Sequence, residues 1–193
     1  DGLLLLFERA IDGLGFALDY VRGLREVGRE HGAELQARAG LHVGEVLTWR
    51  NSTEAVNLGA KPLEVEGLAK PMAARLMTLA RPGQVLVSAV AEPLAHRAAR
   101  ELGPRGEQLL WKSWGRWCFK GVPGAQEIFE VGEAGFAPLR RPRNGPKAWH
   151  DVPLWRRPAA LAAEAALLAG LAVGTWFATR PQPDIAFAER DWV

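Results

Sequence analysis

Arg75 carries a guanidinium that stays charged at physiological pH and donates hydrogen bonds in a fixed fork, a group suited to stabilising negative charge. Asp1 carries a carboxylate able to bind a divalent cation. Lys120 falls in a hairpin turn, where an ammonium is ordinarily just solvated. The single cysteine, Cys118, cannot form an intrachain disulfide, fits a cytosolic setting, and reads as a small buried apolar residue rather than a reactive thiol. Trp111, Trp114 and Trp117, spaced three apart, could form a stacking platform, but packing and hairpin pairing account for them better.

The elements that must position these groups follow from the apolar pattern. Residues 3 to 7 are a continuous apolar run of strand length, which reads as a central strand buried on both faces. Ile11, Leu14, Leu18, Val21 and Leu24 recur at helical spacing and predict an amphipathic helix from 11 to 27, ended by His31-Gly32. Residues 35 to 48 alternate as one long strand with a glycine-marked irregularity, and residues 49 to 66 are polar enough to be a loop. Pro71, whose missing N–H costs nothing in a first turn, opens a helix that Pro82-Gly83 stops. A short strand over 84–87 follows, Ser88 caps a helix reaching Arg100, and strands over 109–120 and 126–131 complete an alternating α/β domain.

Beyond Glu133 the composition turns to Pro, Gly and Arg, as in Arg140-Arg141-Pro142-Arg143, and reads as a basic linker over 134–157. Twenty-four Lys and Arg against 22 Asp and Glu leave a formal charge of +2, too small to argue for a nucleic-acid partner. The length suggests one domain with additions.

The stretch Ala73-Ala74-Arg75-Leu76-Met77-Thr78-Leu79-Ala80-Arg81-Pro82-Gly83-Gln84-Val85-Leu86-Val87-Ser88 resembles the class III adenylate and guanylate cyclases, where an A-A-R-L helix leads through a Pro-Gly turn into a Q-[IV]-L-[VA]-S strand. Three further segments agree in order. Asp1-Gly2 looks like the end of the family's G-D-G hairpin, Arg38-Ala39-Gly40-Leu41-His42-Val43-Gly44-Glu45-Val46 like its R-x-G-[IL]-H-x-G-x-V strand, and Phe119-Lys120-Gly121 like its late K-G hairpin. The resemblance covers residues 1 to about 132. It implies an α/β (α+β), ferredoxin-like cyclase domain lacking its N-terminal part, so the chain reads as a fragment.

The same resemblance implies the chemistry. Two Mg2+ or Mn2+ ions held by two aspartates would bring the 3′-hydroxyl of ATP or GTP to its own α-phosphate, while a cation stabilises the transition state as pyrophosphate leaves. Asp1 would be the second metal aspartate, Arg75 the transition-state arginine, Glu64 the base-selecting residue, and Lys120 a contact to the triphosphate. One departure matters: the family's ribose-orienting asparagine falls at Pro71, which has no polar side-chain atom. Val56-Asn57-Leu58-Gly59-Ala60-Lys61 imitates the family's V-N-x-A-A-R, but adopting it would strand Arg75 and its downstream register, so Asn57 is read as a decoy. The expected activity is therefore cyclic nucleotide formation, with a catalytically silent nucleotide-binding or dimerising module as the alternative. A diguanylate cyclase relative is disfavoured because no G-G-D-E-F-like hairpin is present.

Pro158 to Thr179 is almost wholly apolar, long enough at ~1.5 Å per residue to cross a hydrocarbon core of ~30 Å. Only Glu164 is charged, and Trp155, Arg156, Arg157, Trp176 and Arg180 give the flanks of a membrane span. The basic residues between Arg140 and Arg157 place the preceding domain in the cytosol by the positive-inside rule, with 180–193 opening an extracytoplasmic region. Ala162, Ala166, Gly170, Gly174 and Ala178 form a small-residue ridge that would support a homodimer. A cytosolic domain ahead of one inner-membrane helix also looks like the bacterial cyclase-like proteins of putative peptide-modification systems.

Overall fold

The computed structural model describes residues 2–156 and 158–181. The chain divides into two compact units, Asp1–Asp151 and Val152–Val193.

In the first unit, helix α1 spans Ala10–Glu30 because its apolar residues fall on one stripe: Ile11, Leu14, Leu18 and Val21 are buried, while Arg22, Arg25 and Arg29 lie off it. Gly32, at φ +66°, takes the left-handed turn that follows the helix end. A five-stranded sheet forms beneath it. Its strands are β1 (Ala39–Leu41), β4 (Val85–Ser88), β6 (Gln126–Glu133), β5 (Leu109–Phe119) and β7 (Ala148–His150), in that order across the sheet. β1 and β4 run parallel, and the other pairs are antiparallel.

The two faces of the sheet carry separate cores, as the period-2 alternation of β4 requires. Val85 and Val87 face α1 and helix α4 (Ala91–Arg97), packing with Leu14, Leu18, Ala95 and Val131. Leu86 faces the other way, against helix α3 (Ala69–Leu79), and joins Met72, Leu76, Leu79, Trp117, Phe119 and Ile128. Trp117 is fully buried and its indole N–H donates to the Trp114 carbonyl at 3.1 Å. Trp111 stacks on His96 at 4.3 Å. The tryptophans are thus packing residues.

Helix α3 reaches the sheet closely only because residue 40 is a glycine. A Cβ there would stand 2.4 Å from both the Ala73 carbonyl oxygen and the Met77 nitrogen. The glycine of the sequence motif is therefore the point where helix and strand touch.

Several expectations are revised. Residues 3 to 7 form no strand: they belong to no ladder, and Leu3 to Phe7 are exposed. An apolar run supplies the side chains of a strand but not the neighbour that must satisfy its N–H and C=O groups. The expected long strand over 35–48 is two short ones in different sheets, β1 and β2 (Leu47–Arg50). The expected loop over 49–66 folds as helix α2 (Thr53–Asn57) and strand β3 (Leu63–Glu66), with β3 paired antiparallel to β2. Ser52 caps α2 by accepting from the Ala55 N–H. The helix expected through Arg100 stops at Arg97 and continues as a 3-10 turn over Ala99–Leu102, followed by the short helix α5 (Pro104–Glu107).

The first unit also takes in part of the basic segment after Glu133. Residues 139–151 lie along the sheet as a strap, ending in β7.

In the second unit, helix α6 spans Pro158–Thr179, 22 residues with none buried. It is long and apolar enough to cross a membrane.

Candidate functional site

Arg75 lies on α3, and the packing of Leu76 and Met72 into the core fixes which side of the helix it occupies. Its side chain is half-buried. The guanidinium lies beside the turn between β5 and β6: a Cβ on Gly121 would stand 3.8 Å from Nη2 of Arg75. Gly121 is at φ +77°, the left-handed region that favours glycine, so the turn's backbone conformation depends on it. Among the described residues Arg75 has no hydrogen bond and no ion pair. A permanent cation held half-buried without a counter-charge has the chemistry to take up an anion.

The structure thus brings Arg75 and the Lys120–Gly121 turn together. Lys120 is exposed, and its main-chain N–H donates to the Lys147 carbonyl at 3.0 Å. Glu64 is placed on the separate two-stranded sheet, half-buried and opposite Trp49. That sheet is tied to the start of α3 by the Lys70 ammonium, which donates to the Val65 carbonyl at 3.3 Å. Pro71 is the third residue of α3, where its ring interrupts no helical bond. It offers nothing polar one turn ahead of Arg75. Asn57 ends α2, in the connection between β2 and β3.

Asp1 lies outside the described residues. Among the described residues no group of three or more metal-ligating side chains occurs.

One residue of the strand motif acquires a role that its letter did not reveal. The Nδ1 of His42 meets the Ser88 hydroxyl at 2.8 Å, joining the end of β1 to the end of β4. His42 also lines an open groove of about 470 Å³ together with Leu4, Phe7, Leu41, Val43 and Ala73. Burial pushes its pKa below the ordinary histidine value of 6.5, so the folded domain holds the ring neutral. Its contribution to stability is complete above about pH 6.5 and is lost as the pH falls through the depressed value. Urea unfolding across that range should show stability dropping on acidification, and His42→Gln should flatten that part of the profile.

Several solved structures share the chain's fold. The chain is similar to the guanylyl cyclase Cya2 at 20% identity, covering 69% of this chain and 62% of that one, with a TM-score of 0.50. It is also similar to the adenylyl cyclase CyaB from P. aeruginosa, at 18% identity over 70% of this chain and 62% of that one, with a TM-score of 0.48. The adenylate/guanylate cyclase/hydrolase from Silicibacter pomeroyi matches at 17% identity over 67% and 66%, with a TM-score of 0.47. The chain spans less than two thirds of each. No family model matches the chain, and no curated protein does. At such identities the likeness is one of fold, and the fold of the first unit is that of the nucleotide cyclases.

Proposed function

We propose that the cyclase-fold unit forms a cyclic nucleotide, cyclic AMP or cyclic GMP, from a nucleoside triphosphate with release of pyrophosphate, in membrane-linked signalling. One observation carries the reading: the Arg75 guanidinium, half-buried and without a counter-charge among the described residues, rests against the Lys120–Gly121 turn. In the reaction the ribose 3′-oxygen bonds to the α-phosphorus, the bond from that phosphorus to the bridging oxygen breaks, and the hydroxyl proton passes to solvent water. Negative charge builds on the bridging oxygen and the α-phosphoryl oxygens as that bond lengthens. A guanidinium fixed in place stabilises that charge without reorganising, which is where preorganised donors contribute most. Lys120 would hold the outer phosphates of the chain, and Glu64 on β3 would face the base.

The test is direct. The full chain, incubated with ATP or GTP and Mn2+, is expected to release cyclic product and pyrophosphate in equal amounts. Absence of product under both nucleotides would reject the reading.

A second reading is favoured by Pro71. A domain lacking the ribose-orienting amide could bind nucleotide and dimerise without turning it over. Pro71→Asn is expected to raise the rate about tenfold or more, since a missing transition-state donor typically costs 10² to 10³. No gain, together with nucleotide binding and no product, would establish the silent module.

The reading extends to α6. The residues from Arg140 to Arg157 carry six Lys and Arg ahead of the apolar helix, which orients the unit before it toward the cytosol. Trp155 and Trp176, each with an arginine over its ring at 4.6 and 3.2 Å, suit the two interfaces. The small-residue ridge of the helix would let two copies pack closely. The protein is expected to remain in the pellet after alkaline carbonate extraction of membranes, and its release into the supernatant would remove the span.

A further inference from the structure

Among the described residues of the first unit the fully buried carboxylate is Glu130, on β6 beneath α3. The Gln84 side-chain amide donates to its Oε2 at 2.6 Å, the Trp114 indole N–H to the same oxygen at 2.9 Å, and the Leu139 main-chain N–H to Oε1 at 2.8 Å. These donors come from three places: the turn after α3, the bulge of β5, and the strap that follows β6. Glu130 has no cationic partner among the described residues. Burial raises its pKa, and the three donors pull it back.

The strap is gripped at further points around the same turn. Gln84 also donates to the Arg140 carbonyl, and its Oε1 accepts the Arg81 main-chain N–H at 2.8 Å. The Arg81 Nε donates to the Arg141 carbonyl at 2.7 Å. Leu139, the residue whose N–H reaches Glu130, has φ +46°, the one positive φ at a non-glycine position among the described residues. A leucine keeps the left-handed conformation only where its surroundings impose it.

The two ends of the strap meet the two elements that frame Arg75. Arg81 and Gln84 form the turn into which α3 runs. At the other end β7 pairs with residues 117–119, and the Lys147 carbonyl takes the N–H of Lys120, next to the glycine that faces the guanidinium. The geometry points to Glu130 as a positioning residue: by fixing residues 139–150 across both elements, it sets where the Arg75 guanidinium stands. This rests on Arg75 being the anion-binding group of the proposed function.

The experiment uses the full chain in detergent, with the lone thiol of Cys118, paired in register with Trp149 of β7, as the reporter of docking. Arg81→Ala loosens the strap from the surface without touching the core, and Glu130→Gln removes the charge while keeping the size. Both are expected to raise the rate of Cys118 labelling and of amide exchange at 139–150 by roughly tenfold, a local opening rather than global unfolding. Calorimetric binding of inorganic tripolyphosphate supplies the second readout. Arg75→Ala should weaken it about tenfold, as loss of one charge-assisted contact does. Arg81→Ala should weaken it severalfold in the native background and not at all in the Arg75→Ala background, because both act through one guanidinium.

Unchanged labelling and exchange in both variants would overturn the anchor. A released strap with unchanged tripolyphosphate binding, or equal losses in both backgrounds, would overturn its link to Arg75. If the binding results hold while no cyclic product forms, the positioning role stands and the cyclase reading falls.

Discussion

Arg75→Ala is expected to lower cyclic nucleotide formation by about 10² to 10³-fold, or roughly 3 to 4 kcal/mol of transition-state stabilisation. The side chain has no partner to lose within the described residues, so the change should leave thermal stability within ~0.5 kcal/mol. That separation of rate from stability marks a group whose partner is the reacting molecule. Arg75→Lys should recover little, because an ammonium keeps the charge but not the fixed fork. The measurement is initial rate against nucleotide concentration, with melting curves of the same preparations. A rate loss matched by a fall in stability would assign Arg75 to the fold instead.

A large structural effect is expected at Gly40, on the contact that seats α3. In Gly40→Ala the new methyl would meet the Ala73 carbonyl oxygen and the Met77 nitrogen at 2.4 Å and the Leu76 Cβ at 2.8 Å. Two of these are backbone atoms of a helix and cannot swing aside, so α3 must move as a body. Overpacking costs about 1 to 3 kcal/mol where side chains can yield, and this contact should sit at or above the upper end. Against the 5 to 15 kcal/mol that ordinarily holds a domain together, that is a large share. Because the displaced helix carries Arg75, activity should fall with stability here. Gly23→Ala, in the interior of α1 with nothing within 4 Å of the added methyl, should be neutral or stabilising by roughly 0.5 to 1 kcal/mol. Equal urea midpoints for Gly40→Ala and the parent would show that α3 does not depend on that contact.

The parts of this fold legible in the sequence are those whose signal is carried by many residues at one period. α1 announces itself through five apolar positions, α6 through its unbroken run, and β5 and β6 through their length. β2, β3 and β7 are three or four residues each, too short for a period to register, and they exist because a partner strand lies opposite. Leu3 to Phe7 fail in the other sense, with a strong pattern and no partner. In the candidate site, Arg75 and the Lys120–Gly121 turn were legible through ordered motifs, since the spacing from helix to turn to strand is fixed by the chain itself. The bond from His42 to Ser88 and the knot at Glu130 join residues 46 positions apart or at least 9 along different elements, and no local pattern contains them. One clue did exist: Glu130 falls two residues after the fully buried Ile128, so it occupies an inward position of an alternating strand.

The knot at Glu130 also dictates a sequence of events during folding. Its donors are supplied from residues 84, 114 and 139, so it cannot close until the hairpin of β5 and β6 has zipped and the chain has doubled back over it. Of its three contacts only the one to Gln84 is distant, 46 residues along the chain, and that one carries the larger chain-closure entropy. The chain must therefore have supplied residues through Leu139 before the knot can close, and the tether to the apolar helix can be seated only on a sheet that already holds β4, β5 and β6.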